Sequence, residues 1–526
     1  MTFIRDSDPY MDRLVMICFT CYLRILCASL LLTSFAFGQE PSRRPALLQA
    51  ALQPLEKSSE APVRPTTPLA ILGTPISAER KPLQLQEVLE SVERYYPLLK
   101  AIEEERRVAA GRFLSALGAF DTNLRANSAN VPLGTYENYR FSTGIDQAFT
   151  STGLTAFTQY RTGYGDFPIY YGDRKTGLGG EFRAGVAIPL LKDHEIDRRR
   201  ANLQQARLNQ EGAEPVIDRQ RLDFFRAAAR VYWNWVASGE RQRLALALAE
   251  LARTRDKQLN ELEINKLVSR IERVDNQQNI AARQTLLVDA QLRFQQASIE
   301  LSLYLRDDNG SALMPDINRL ARFPEPRRFD DTQFEAQLQE AYEIRPEIRR
   351  LRLQRESLEV ELRWAINQTL PAVNAFVAGS QDMGMGKPST GPSRLDRSSL
   401  DVGFEFQMPI QRRDAQGRVE TTRAQLRQIV WQEQFARDAV RAELQSAFAA
   451  LDRFYEMHEQ ALKRVALARQ VAEAERQRLK DGDSDVLRVT LREQAAFDAD
   501  VIEIGAKADF FRAEAEWKAA LGTPKP

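Results

Sequence analysis

Side chains able to do acid–base or metal chemistry are scarce in this 526-residue chain, whose only histidines are His194 and His458. His458 falls on an apolar seam of helical spacing, where an imidazole packs as a core side chain rather than a ligand. His194 follows Lys192 and Asp193 at a strand-to-helix turn, a solvated position. The three cysteines, Cys18, Cys21 and Cys27, all sit in the apolar leader, so the exported chain has no thiol chemistry and needs no oxidative folding. None of them follows the small-residue pattern of a lipoprotein site. There is no HExxH and no Walker loop, and the glycines near 172–180 and 384–386 lack GxGxxG spacing. Acidic pairs abound, but 72 acidic residues interleave with 73 basic ones along helical stretches, the pattern of solvated helix faces. We assign no catalytic, metal or cofactor-binding residue. The net charge of +1 gives no case for nucleic acid. The chain reads as a non-enzyme.

The residues instead specify a long helical architecture with a few strands. Arg5 and Arg13 precede an apolar run from Leu14 to Phe37, and Ala36-Phe37-Gly38 offers small residues for cleavage, so 1–38 is expected to be a signal peptide, a true N-terminal transmembrane helix being the alternative. Residues 39–82 hold eight of the 24 prolines and cannot build a core; they read as an extended or disordered leader. From Leu83 the apolar positions Leu85, Val88, Leu89, Val92 and Tyr96 keep helical spacing, with Pro97 interrupting. Phe334, Leu338 and Tyr342 do the same before Arg345-Pro346-Glu347-Ile348.

Strands follow. Val402, Phe404, Phe406 and Met408 alternate with Gly403, Glu405 and Gln407, and Pro409 ends the run. Phe182, Ala184, Val186 and Ile188 alternate with Glu181, Arg183, Gly185 and Ala187, and Pro189 follows. In each case an arginine falls nine residues after the proline: Arg198 and Arg418. The second half has a strand pair at about 371–381 and 400–409. The first half carries an additional stretch, 139–165, which reads as one more hairpin or a long extended loop.

Long helical patterns come next, with breaks at 262–270 and 479–486. Leu444, Phe448, Leu451, Tyr455, His458, Leu462 and Val465 step by 4 and 3, a coiled-coil seam, and Phe225, Ala229, Tyr232 and Val236 keep the same step. Helices of ~60 residues run ~90 Å. The fold class is therefore mainly α with a β part. A unit of helix, strand, strand and long helical hairpin is written twice, over 83–306 and 332–522, with a linker at 307–331 and a tail at 523–526. Four strands, each with one apolar face, cannot close a barrel alone. In a bilayer their apolar faces meet lipid and closure takes several copies; the alternation also fits small hairpins packed on the helices.

The ordered set resembles the TolC-type outer-membrane efflux protein family. It comprises Val-Ala-Ile-Pro-Leu at 186–190 with Arg198, Phe-Gln-Met-Pro-Ile at 406–410 with Arg418, the Arg345-Pro346 motif, and the tip Arg478-Leu479-Lys480-Asp481-Gly482-Asp483-Ser484-Asp485-Val486-Leu487. The resemblance implies a homotrimer in the outer membrane, in contact with its lipid. Each copy would give four strands to a twelve-stranded barrel, and the helices would form a periplasmic tunnel. It further implies a passive exit duct served by a periplasmic adaptor (membrane fusion) protein and an inner-membrane transporter of the RND or ABC type. The adaptor-docking tips would comprise Asn265, Val268, Ser269, Arg478, Gly482 and Ser484. The tunnel aperture would comprise Asp485 and Arg488. Departures are Asn265 in place of a glycine, Arg488 where a second aspartate is common, and Pro215 within the first long helix. A soluble periplasmic coiled-coil scaffold is the alternative, and a receptor or adhesin exposing 139–180 a further one.

Overall fold

A computed structural model describes residues 81–167, 176–177, 179–265, 269–329, 334–383 and 398–523. The expected signal peptide, most of the proline-rich leader, all three cysteines, Val268 and most of the tail lie outside the described residues.

The first helices are α1 (Leu85–Tyr95), α2 (Pro97–Glu103) and α3 (Glu105–Leu117). Pro97 lacks an N–H to donate backwards, so it closes α1 and opens α2 at its first position. Pro346 does the same between α7 (Phe334–Ile344) and α8 (Pro346–Asn367). The remaining helices are α4 (Arg198–Glu211), α5 (Ala213–Ile264), α6 (Arg270–Ser302), α9 (Arg413–Asp481) and α10 (Val486–Leu521). Pro215 sits in the first turn of α5, just past the break at Gly212, where a missing N–H costs no hydrogen bond. With 69 residues, α9 runs ~104 Å.

The sheet contains β1 (Asn123–Val131), β2 (Asn138–Ala148), β3 (Thr155–Gly165), β4 (Glu181–Pro189), β5 (Ala372–Asp382) and β6 (Ser399–Gln407). It is one antiparallel six-stranded sheet in sequence order, rather than the four strands expected. The 139–165 stretch is the difference. It forms β2 and β3, a hairpin paired through its whole length between β1 and β4. Phe157 sits on the same face as the charged residues, which is why the stretch lacked a clean period of two.

The core lies where α1, α5, α6, α7, α9 and α10 meet. Trp235, Tyr232, Leu301, Leu338, Leu444, Leu451 and Trp517 are all essentially buried there. Gly239 permits the chain at Leu320 to cross α5, since a Cβ at 239 would stand 2.5 Å from the leucine methyl. The seam on α9 holds at Leu444, Leu451, His458 and Val465, but it runs through Ala461; Leu462 is 43% exposed. His458 is buried beside Glu503, with burial holding its imidazole below the ordinary value.

Candidate functional site

The register of the sheet sorts its side chains by charge. Following the cross-strand partners from β1 to β6, Arg125, Arg140, Asp146, Arg161, Glu181, Arg183, Asp382, Asp401 and Glu405 all fall on one face. These are all the charged residues of the six strands. The opposite face carries Leu124, Phe141, Ile145, Tyr160, Phe182, Val186, Ile188, Val377, Val402, Phe404 and Phe406, with small and uncharged polar residues between them. Phe404 is 77% exposed. On the charged face ion pairs cross between strands: Arg125–Asp146 at 2.5 Å, Arg161–Glu181, and Arg183–Asp401 at 3.1 Å. Such a sheet suits lipid on one side and water on the other.

Below the sheet, the strand-to-helix turns converge. Pro189 is the last residue of β4, and Pro409 lies just beyond β6. Arg198 opens α4 and Arg418 lies near the start of α9. Both guanidinium groups rest on one indole, that of Trp364 in α8, at 4.5 and 5.2 Å from its centroid. Arg198 also pairs with Glu361 at 2.8 Å, and Arg418 with Asp414 at 3.1 Å. Sequence spacing singled out the two arginines and gave no hint of their shared partner.

At the far ends of the long helices lie the turns. Gly482 ends α9 at φ +83°, and the N–H of Asp483 donates to the Arg478 carbonyl at 2.8 Å, so the left-handed residue closes the helix. Gly482→Val is expected to cost about 1–2 kcal/mol from backbone strain alone, checked by urea unfolding against Asp483→Ala. Asn265 does not play the same part: its φ of −81° ends α5 without a left-handed residue. Ser269 is the N-cap residue of α6. Ser484 hydrogen-bonds Glu475, which also faces Arg478 at 3.8 Å. Asp485 caps α10 by accepting from the Arg488 N–H at 2.7 Å, and the two side chains pair at 3.4 Å within one helical turn. Both remain exposed.

Above this turn is a cluster that the sequence reading missed. The Glu493 carboxylate, in α10, is buried among Arg255 of α5, Arg283 of α6 and Arg476 of α9. Arg283 and Arg476 lie at 3.0 Å, and Arg255 forms the third ion pair. One anion thus ties together all four long helices. Burial pushes its pKa up, but the three guanidinium groups outweigh this and hold it below the usual carboxylate range. The available signal was position: Val486, Val489, Glu493 and Ala496 step by 3 and 4, so Glu493 occupies a seam place normally apolar.

No protein-family model matches the sequence, and no curated protein sequence matches it. Solved structures do match in shape. The outer-membrane channel OprN superposes with a TM-score of 0.58 at 14% identity, covering 84% of this chain and 91% of OprN. The open-state MtrE outer-membrane channel of Neisseria gonorrhoeae gives 0.57 at 14% identity, covering 84% of this chain and 89% of MtrE. The outer-membrane protein VceC of Vibrio cholerae gives 0.57 at 14% identity, with coverages of 84% and 96%. With one sheet below which long helical hairpins extend, and with these channels as its structural neighbours, the chain has the TolC-type outer-membrane factor fold.

Proposed function

We propose that this protein is the outer-membrane channel of a tripartite efflux or type I secretion system. In this reading it is a homotrimer whose sheets close a barrel in the bilayer and whose helices form a tunnel in the periplasm. The observation that carries the reading is the sorting of every strand charge onto one face, which leaves an exposed, charge-free surface of membrane-spanning height opposite it. Nine to eleven residues per strand is the length a tilted strand needs to cross a bilayer. No described helix is long and apolar enough to cross one. The order of elements, read as helix, proline-opened helix, strands and long hairpin in each half, supports a duplicated unit. The duct itself does no chemistry. A periplasmic adaptor and an inner-membrane transporter of the RND or ABC type supply the energy, docking at the tips around Asn265, Ser269, Arg478, Gly482 and Ser484.

The test is fractionation. The chain should resist carbonate extraction, require detergent, and run as a heat-labile trimer. Recovery as a monomer in the soluble periplasmic fraction would favour the coiled-coil scaffold instead.

Asp485 and Arg488 stand at the mouth of the proposed tunnel as two adjacent charge rings. An exposed pair contributes about 0–1 kcal/mol, and three together bias a two-state aperture modestly. In planar bilayers Arg488→Ala should raise the open fraction, and Arg488→Lys, which keeps both the charge and the Asp485 cap, should leave it near the wild-type value. Unchanged gating in Asp485→Ala and Arg488→Ala would remove these residues from the aperture.

A further inference from the structure

Among the described residues the sheet ends on both sides in unpaired edges, β1 and β6. Such edges offer a row of free N–H and C=O groups and invite pairing with another strand. β1 leaves the helices and β6 returns to them, so an edge-to-edge meeting of two copies is antiparallel. The strands match in length, nine residues each. Every residue of β1 is exposed, as is most of β6. Both edges also carry the sorting of the sheet: Leu124 and Ala126 on the uncharged side of β1, Phe404 and Phe406 on that of β6. A neighbouring copy joined there continues the lipid surface and the wet surface without a break.

The hairpin β2–β3 is built into this sheet. It pairs with β1 on one side and with β4 on the other. The Arg125–Asp146 and Arg161–Glu181 ion pairs stitch both of its outer seams on the charged face. Gly144 lets β2 approach β3 closely, since a Cβ there would lie 2.5 Å from the Thr158 carbonyl oxygen.

We propose that the β1 edge of each copy pairs with the β6 edge of the next. Resting on the trimeric reading above, three six-stranded sheets then close an eighteen-stranded barrel. Barrel diameter grows about linearly with strand number: at ~4.8 Å between strands and a tilt near 40°, eighteen strands give ~36 Å between opposite backbones, against ~24 Å for twelve. The cross-section is about 2.2-fold larger. Arg140, Asp146 and Arg161, all from the inserted hairpin, are added to its wet wall.

Disulfide trapping decides this in the full chain, with Cys18, Cys21 and Cys27 replaced by serine. Three cysteine pairs are compared, each scanned two residues to either side. Ala126→Cys with Phe404→Cys should give covalent trimers on non-reducing gels, while Thr158→Cys with Phe404→Cys and Ala126→Cys with Ala184→Cys should not cross-link. Trimers through the second pair would mean that β1–β2 is displaced and the barrel has twelve strands. An intramolecular bond in the third would mean that β2–β3 is looped out, again giving twelve. A monomeric disulfide in the first pair would mean that the sheet closes on itself. Each of these overturns the proposal, as does absence of all three bonds in a chain that still runs as a membrane-bound, heat-labile trimer. Loss of the membrane-bound trimer itself would overturn the underlying channel reading and this proposal with it.

Discussion

Glu493→Ala is expected to lower stability by about 3–5 kcal/mol, the penalty for leaving buried charges without their partner. The carboxylate is 1% exposed, and it is the shared anion for Arg255, Arg283 and Arg476, one from each of the other long helices. Removing it leaves three guanidinium groups facing each other in a packed seam, so the half of the hairpins nearest the turns should loosen first. Urea unfolding together with limited proteolysis reads both effects: a lowered midpoint, and new cleavage in α5 and α9 near Arg255 and Arg476. Unaltered stability would mean that the cluster is not buried in the folded protein. The same group sets an acid limit. Its folded pKa lies below the ordinary value of 4.5 because the three arginines outweigh burial. Its stabilisation is therefore present in full above pH 4.5 and is lost as the pH falls through the depressed value. In Glu493→Ala that part of the acid dependence should vanish.

Phe404→Arg should destabilise the membrane-inserted form by about 2–4 kcal/mol, the penalty for a cation on the lipid face of a barrel near mid-membrane. Phe404 belongs to a face on which the six strands place no charge, and it is 77% exposed. Its neighbour Glu405 points the other way, opposite Asn374. Glu405→Gln should leave assembly nearly unchanged. Refolding into lipid vesicles, read as the yield of heat-labile trimer, separates the two. Labelling adds an independent check: a cysteine at 405 should react with aqueous reagents and a cysteine at 404 with lipid-soluble ones. The reverse accessibility would invert the sheet and remove the membrane reading.

Local physics made much of the fold readable in the sequence. Alternation along Phe182–Ile188 and Val402–Phe406 reports which side chains point together, because a strand repeats every two residues. Pro97 and Pro346 mark helix starts because they cannot donate a hydrogen bond to the preceding turn. Gly482 marks a helix end because only a residue without a Cβ takes φ +83° freely. The step of 4 and 3 through Leu444, Leu451 and His458 marks a seam because it follows the period of one helix packed on others.

What the tertiary structure alone decided depends on pairings between distant residues. The 139–165 stretch has Phe157 on the charged face and Thr143, Gln147, Thr158 and Thr162 interspersed with Phe141, Ile145 and Tyr160 on the other, so its alternation is blurred. Only its partners β1 and β4 make it two strands of a single sheet. Arg198 and Arg418 are far apart in sequence, and their convergence on Trp364 follows from α4 and α9 both packing on α8. Asn265 and Gly482 occupy comparable turns, yet only the glycine adopts the left-handed cap. Glu493 looked like one more carboxylate on a solvated helix. Its burial is set by three arginines on three other helices, and a one-dimensional pattern carries no information about which faces meet.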